Sequence, residues 1–319
     1  MSLKVLFPTG KKYFSYGFPN HPLSSQRHFL ALKEIKRRGL LNNPNLVKLK
    51  TKMVDEKILT LFHSKEYVEK VKRLSKLGFG FLDTSDNPVF QGMYEIASHV
   101  VYAAIKAVEL VVNGNVNSSF NMVGGLHHAF RDKGEGFCVF NDVGVAVAFT
   151  LEKLKLDRIL YIDIDAHHCN GVFYSFYDEP RVWIFDVHQT GIYPGTGFEN
   201  EKGEGEAYGT KLNIPLEPFS GDKKLAGILK KLVEFANNAK PQLILFQAGA
   251  DCIRGDPLTN LNFSLEGHLF MVKKVGKLAD KLCDGKLIVF GGGGYNYDNC
   301  TKAWINILSF LLEKNNGRP

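Results

Sequence analysis

The sequence predicts an α/β fold, a single domain with a doubly wound, mostly parallel sheet and helices on both faces. The first indication is a set of short segments, LILF and LIVF among them, that are apolar at consecutive positions. Strands covered by helices on both faces have this pattern. The second is that longer segments with helical periodicity lie between these strands, as in parallel α/β sheets. We see no linker, repeat or low-complexity segment, so residues 1–319 are predicted to form one catalytic domain.

The strands are predicted where apolar runs are short, and the helices where apolar residues recur every three or four positions. The predicted strands are residues 3–7, 119–123, 158–164, 181–187, 242–246 and 286–290. The predicted helices are residues 24–38, 55–61, 65–77, 91–112, 141–155, 223–238, 265–283 and 298–314. Gly39 ends the first helix, and Asn141 is placed to cap the helix that it begins. Three long loops, residues 8–23, 78–88 and 190–209, are predicted to carry function because long loops in compact domains usually do.

Composition excludes several classes of protein. The 45% hydrophobic and 23% charged residues are typical of a globular domain, and the net charge of +7 is spread over helices. The sequence has no long basic run, so direct binding of nucleic acid is not expected. The apolar run near the N-terminus is too short for a signal peptide, and no stretch is long enough to cross a membrane. Five cysteines, an odd number without a C-x-x-C pair, favour a reduced, cytoplasmic location.

The segment YIDIDAHHCNG, residues 161–171, turns an apolar strand into a polar loop. Asp163, Asp165 and His167 alternate, so their side chains share one face at the strand's end, where open α/β sheets place their sites. Asp165 and His167 can bind one divalent cation, and Asp163 can orient a neighbouring group. Asp251 follows another apolar strand and is the expected third ligand. Zinc in catalytic sites keeps three protein ligands, although this oxygen-rich set also suits Fe²⁺ or Mn²⁺.

Three further segments supply candidate catalytic groups. The tandem His127 and His128 follow a strand, and neutral imidazole moves protons well at neutral pH, although surface histidines are the alternative. Residues 134–138 then place an aromatic residue beside them. Residues 291–294 are four glycines that lack the P-loop and dinucleotide spacings, so we interpret them as a turn that brings the hydroxyl of Tyr295 to the site. Residues 191–197 have two interpretations. Tyr193 could form the wall of an apolar channel, or the segment could be a loop without a functional role.

Taken together, these motifs resemble the histone deacetylase family of zinc amidohydrolases, which have an arginase/deacetylase-like fold. The resemblance runs from about residue 77 to 312 through GLHHA, GFCVFND, YIDIDAHHCNG, YPGTG, GADCIRGDP and GGGGY, in family order. It implies Zn²⁺, with Fe²⁺ as an alternative, bound by Asp165, His167 and Asp251. It further implies roles in catalysis for His127, His128, Asp163, Asn170 and Tyr295, and in substrate binding for Asp86, Gly136, Phe137, Tyr193 and Leu258. The implied reaction removes acetyl or longer acyl groups from lysine side chains of a protein or peptide partner.

Four positions depart from the family pattern. Asn170 stands where some members have the aspartate behind the second histidine, so His128 is expected to be less basic. Cys169 replaces a glycine, and Leu126 replaces an aromatic residue, which would widen the space under the metal. Asp186 replaces a serine that helps to bind K⁺ near Asp163, so a more acidic monovalent-cation site is expected there.

Three alternatives compete with a lysine deacetylase. An arginase-like ureohydrolase needs two Mn²⁺ ions and bridging aspartates, whereas Asn170 and the loop of Asp251 do not provide them. An acetylpolyamine deacetylase would have an acidic residue at the position of Leu258. A catalytically inactive reader of acyl-lysine would not need the intact ligand set and Tyr295. The sequence predicts no oligomeric state.

Overall fold

The structure, a computed structural model, describes residues 4–314, which form one α/β domain around an eight-stranded sheet. The strands are β1 Val5–Thr9, β2 Leu46–Lys50, β3 Ser118–Asn121, β4 Ile159–Asp163, β5 Val182–Gln189, β6 Lys211–Leu216, β7 Leu243–Gln247 and β8 Leu287–Phe290. Their order in the sheet is β2-β1-β3-β8-β7-β4-β5-β6. Every pair is parallel, so the described sheet is entirely rather than mostly parallel.

Helices cover both faces of the sheet. They are α1 Lys11–Phe14, α2 Gln26–Arg37, α3 Glu56–Leu59, α4 Lys65–Leu77, α5 Met93–Val112, α6 Asp142–Glu152, α7 Asn170–Ser175, α8 Leu225–Ala239, α9 Leu265–Cys283 and α10 Tyr297–Lys314. One layer contains α2, α8, α9 and α10, and the other is built around α5 and α6. Because both faces are covered, the central strands β4, β7 and β8 are buried along their whole length, as their continuous apolar sequences predict.

The predicted helices and strands all occur in the described residues, with ends that differ by a few positions, and Leu3 of the first strand lies outside that part of the chain. Four elements were not predicted. The edge strand β2 has a half-exposed, alternating sequence, and β6 begins with a lysine and contains Pro215. The helices α1 and α7 are only four and six residues long, too short for a helical period to be recognised.

The register of the central strands places polar residues together at their carboxyl ends. Asp163, the last residue of β4, lies beside Asp186 of β5 on one side and Gln247 of β7 on the other. The loops that follow β3, β4, β7 and β8 therefore converge above this edge, which is where parallel sheets place their sites. None of the described helices is long and apolar enough to span a membrane.

Candidate metal and catalytic site

Asp165, His167 and Asp251 meet at the carboxyl edge of the sheet, where the sequence predicts a metal site. Nδ1 of His167 lies 3.2 Å from Oδ1 of Asp165 and 3.0 Å from Oδ2 of Asp251. All three residues are buried, and one ligand atom from each lies within 4.8 Å of the others. Two carboxylates and an imidazole form an oxygen-rich donor set that suits Zn²⁺ or Fe²⁺.

The electrostatics of these three residues also favour a cation. Burial and the nearby charge of Asp165 raise the pKa of Asp251 to about 8. Although burial opposes it, hydrogen bonds to the two carboxylates raise the pKa of His167 to about 10. Two buried carboxylates this close repel each other unless positive charge lies between them. A divalent cation would supply that charge and release the proton from His167, so the residues fit the metal that the family resemblance implies.

His127 is held by a carboxylate. Its Nδ1 lies 2.7 Å from Oδ2 of Asp163, which also accepts the hydroxyl of Tyr161 at 2.5 Å. Although burial opposes it, the charges of Asp163 and Asp165 raise the pKa of His127 to about 9. The charged form of His127 is therefore favoured at neutral pH, and Asp163 lies behind its ring.

His128 is held by an amide instead. Its Nδ1 lies 2.6 Å from Oδ1 of Asn170, and its Nε2 lies 3.1 Å from Nε2 of His127. Burial and the positive charge of His127 lower the pKa of His128 well below its usual value. His128 is therefore neutral at neutral pH and can accept a proton, although its hydrogen bond to Asn170 by itself raises the pKa.

The glycine turn after β8 brings Tyr295 over the metal ligands. The backbone N–H of Gly293 donates to Oδ2 of Asp165 at 2.7 Å, and a side chain at Gly293 would collide with Asp251. The ring of Tyr295 lies 6.2 Å from that of His167. Burial and the charges of the ligands raise the pKa of Tyr295 well above its usual value. Its hydroxyl therefore stays protonated and can donate a hydrogen bond.

Phe137 and Tyr193 stand on opposite sides of these groups. The Tyr193 ring centroid is 5.0 Å from that of His128, and the Phe137 ring centroid is 5.9 Å from that of Tyr295. Gly136, with a positive φ of 55°, lets the chain pass close to His128, because a Cβ there would lie 2.4 Å from the ring. The two aromatic rings can thus flank a narrow passage to the metal ligands, as the resemblance implies.

Asp86 and Leu258 lie farther out. Asp86 is half-buried, and its backbone bonds to His21, whose ring packs 4.5 Å from that of Phe137. Leu258 is 39% exposed, and its backbone N–H donates to Asp256. Oδ2 of Asp256 also accepts the N–H of Tyr295, so the two loops are joined. Leu258 therefore presents an apolar side chain on a loop that is tied to the glycine turn after β8.

The substituted positions Cys169 and Asp186 contact each other. The backbone N–H of Cys169 donates to Oδ2 of Asp186 at 3.0 Å, and Nδ1 of His188 lies 2.6 Å from Oδ1. His168, Cys169 and Asp186 make a second buried group that could hold a cation. The acidic character expected near Asp163 is present, although both carboxylate oxygens of Asp186 already have protein partners. Leu126, in turn, lines a small cavity together with Arg27 and His128.

Several side chains at the site were missed by sequence reasoning. Nε2 of Gln247 lies 2.9 Å from the carbonyl of Gly125 and 3.0 Å from Nδ1 of His127. Asp142 accepts the backbone N–H groups of Gly125 and Leu126, and Arg27 donates to the carbonyl of Gly294 at 2.9 Å. A sign in the sequence that a polar residue is buried would have identified these positions. The sequence shows such a sign only at Gln247, because a glutamine ends the apolar strand β7.

The chain is similar to known proteins over nearly its whole length. The histone deacetylase domain family matches residues 21–311. The acetoin utilization protein AcuC of Bacillus subtilis (strain 168) is 36% identical over 316 residues, which cover 95% of this chain and 80% of the relative. AcuC of Staphylococcus xylosus is 31% identical over 312 residues, 93% of this chain and 80% of the relative.

Two solved structures are also similar. An HDAC homolog complexed with SAHA has a TM-score of 0.87 and 31% identity, covering 98% of this chain and 84% of that one. The HDA15 HD domain has a TM-score of 0.90, and the match covers 98% of this chain and 89% of the HDA15 chain. At 23% identity, the second likeness shows the fold alone.

Proposed function

The chain belongs to the histone deacetylase family and is a deacetylase, and from that premise we propose that it removes acetyl or longer acyl groups from lysine side chains. The observation that supports this most is the convergence of Asp165, His167 and Asp251 beside His127, His128 and Tyr295. These groups supply a metal site, a proton acceptor and a hydroxyl donor within one buried cluster. A metal-dependent amide hydrolase uses all three.

Asp165, His167 and Asp251 would hold the metal, which we propose is Zn²⁺, with Fe²⁺ as the alternative. When bound, such a metal polarises the acyl carbonyl and lowers the pKa of a water molecule. His128, neutral and with Nδ1 bonded to Asn170, accepts the proton from the attacking water at Nε2. His127, as an imidazolium, stabilises the negative charge that develops nearby. The pair then returns a proton to the leaving amine.

Tyr295 donates its hydroxyl to the oxygen that becomes negative in the tetrahedral intermediate. Its raised pKa keeps the proton on the hydroxyl at neutral pH. Such a donor acts most strongly in the transition state, where the charge is largest. Phe137 and Tyr193 flank the aliphatic stem of the lysine, and Asp86 at the rim holds the substrate backbone.

An acetylpolyamine or another small acyl-amine is the alternative substrate. A polyamine is cationic along its length and gains from a carboxylate at the mouth of the passage, where Leu258 offers apolar contact only. We therefore favour an acyl-lysine protein or peptide. The remaining expectations, a cytoplasmic location, a monovalent cation near Asp163 and one catalytic domain over residues 1–319, stay predictions.

Turnover of three substrates by the purified, zinc-loaded protein tests this proposal. An acetyl-lysine peptide, a longer acyl-lysine peptide and acetylspermidine should be compared by kcat/KM. We expect the highest value for one of the peptides. A higher value for acetylspermidine would contradict the acyl-lysine assignment, and the absence of turnover with all three would contradict the proposed reaction.

A further inference from the structure

The hydrogen bonds that orient His128 extend beyond Asn170 to Glu135. The amide nitrogen of Asn170, Nδ2, donates to Oε1 of Glu135 at 3.2 Å. The same carboxylate oxygen accepts the hydroxyl of Tyr193 at 2.9 Å, and Oε2 lies 2.6 Å from Nζ of Lys133. The side chain of Glu135 is 14% exposed, so most of it is removed from solvent. A carboxylate thus lies behind the amide that contacts the proposed base.

From this chain of contacts we propose that Glu135 is a positioning residue that sets the tautomer of His128, an inference that rests on the proposed function. An amide has a donor end and an acceptor end, whereas a carboxylate only accepts. Glu135 therefore holds Nδ2 of Asn170 toward itself and turns Oδ1 toward His128. Nδ1 of His128 then carries the ring proton, and the lone pair stays on Nε2, which lies 3.1 Å from Nε2 of His127.

The need for Glu135 follows from the asparagine. A carboxylate at position 170 would accept the Nδ1 proton through either oxygen and would need no orienting partner. An amide can rotate by half a turn and present its NH₂ group to His128, which would move the ring proton to Nε2. That tautomer cannot act as a base, and a wrong tautomer is costly in other hydrolases that use histidine.

Glu135 is held rigidly enough for this role. Its backbone N–H donates to the carbonyl of Cys138, and the N–H of Cys138 donates back to the carbonyl of Glu135 at 3.0 Å. The bridge lies immediately before and after Gly136 and Phe137, which approach the ring of His128 and the passage. The side chain therefore starts from a fixed point beside the site, and its Oε1 is held by hydrogen bonds from Tyr193 and Asn170.

A double-mutant cycle tests the proposal. Glu135→Met keeps the volume of the side chain and removes its acceptor, and we expect kcat to fall roughly 10-fold with little change in KM, since outer partners typically contribute 10- to 100-fold. Glu135→Gln keeps an acceptor and should retain most of kcat. In an Asn170→Asp background, Glu135→Met should cause no further loss. The matched control is Glu95→Met, because Glu95 is a partly buried glutamate on α5 that accepts a serine hydroxyl far from the site.

A spectroscopic measurement tests the tautomer without turnover. In long-range ¹H–¹⁵N spectra of histidine-labelled protein, His128 should carry its proton on Nδ1 in the wild type and lose that preference in Glu135→Met. Equal losses of kcat in both backgrounds, a change in KM alone, or an unchanged tautomer would each overturn the role of Glu135. A wild-type protein that turns over none of the substrates would contradict the proposed function instead, while the spectra would still decide the tautomer.

Discussion

The floor and the mouth of the site are built differently. The floor consists of the candidate metal ligands and the tandem histidines, which are buried and tied by direct hydrogen bonds such as that between His127 and Asp163. At the mouth, Tyr193 is 41% exposed and Leu258 is 39% exposed, and both lie on loops. Chemistry requires fixed distances and low solvent access, whereas recognition requires an accessible surface. Substitutions in the floor should therefore remove activity, and those at the mouth should change which substrate is preferred.

The largest effect is expected from the metal ligands. Asp251→Ala removes one of three ligands and should sharply weaken metal binding, so kcat should fall by more than about 10³-fold, because the metal contributes several kcal/mol to the reaction. Zinc content by elemental analysis and kcat are the measurements. Asp298→Ala, at an exposed aspartate in α10, is the control that should keep both. Undiminished zinc in Asp251→Ala would remove Asp251 from the ligand set.

Tyr295 belongs to the floor by its proposed function, although it is not among the candidate ligands. Tyr295→Phe keeps the ring and removes the hydroxyl, and kcat should fall roughly 10²–10³-fold, or about 2.7–4 kcal/mol, as for other oxyanion donors. KM should change much less, and zinc should stay bound. Full zinc with nearly wild-type kcat would mean that another group stabilises the oxyanion.

The charge on His127 gives the floor a characteristic pH dependence. Neutral His128 has a lowered pKa, so activity should be gained as pH rises through a value well below 6.5. His127 has a pKa raised to about 9, so activity should be lost as pH rises through that value. Asp163→Asn removes the carboxylate that raises this pKa. The loss of activity at high pH should then occur at a pH about one unit lower, or lower still. If the loss of activity occurs at the same high pH in this variant, it does not reflect the deprotonation of His127.

The smallest effect is expected at the mouth. Leu258→Glu should raise kcat/KM for acetylspermidine relative to acetyl-lysine peptide by up to about 5-fold, because an exposed charge pair contributes about 0.2–1 kcal/mol. Leu258→Gln, of the same length and neutral, separates charge from size. If the glutamate and glutamine variants give the same ratio, charge at position 258 does not select the substrate.

The parts of the molecule that the sequence predicts are those with a local signal. Continuous apolar strands identify β4, β7 and β8, and the alternation of Asp163, Asp165 and His167 at the end of one strand indicates the metal face. The edge strand β2 lacked such a signal because its sequence is half-exposed and alternating.

Other features depend on contacts between distant parts of the chain. Gln247 contacts His127, which is 120 residues away in the sequence, and Arg27 contacts Gly294, which is 267 residues away. Lys211 has a buried side-chain nitrogen that donates to the carbonyl of Val182 at 2.7 Å, an environment that no property of a lysine in a strand predicts. Glu135 likewise gains its role only because Asn170 and Tyr193 fold against it.

The bond between Arg27 and the carbonyl of Gly294 has a consequence for synthesis on the ribosome. It joins the beginning of α2 to the glycine turn after β8, which lies 267 residues later in the sequence. The helix α2 also packs on α10, which follows that turn. A growing chain therefore cannot hold the turn in place through this bond until the residues of α10 have been made. We therefore expect deacetylation to begin only after both segments have been made and have folded together.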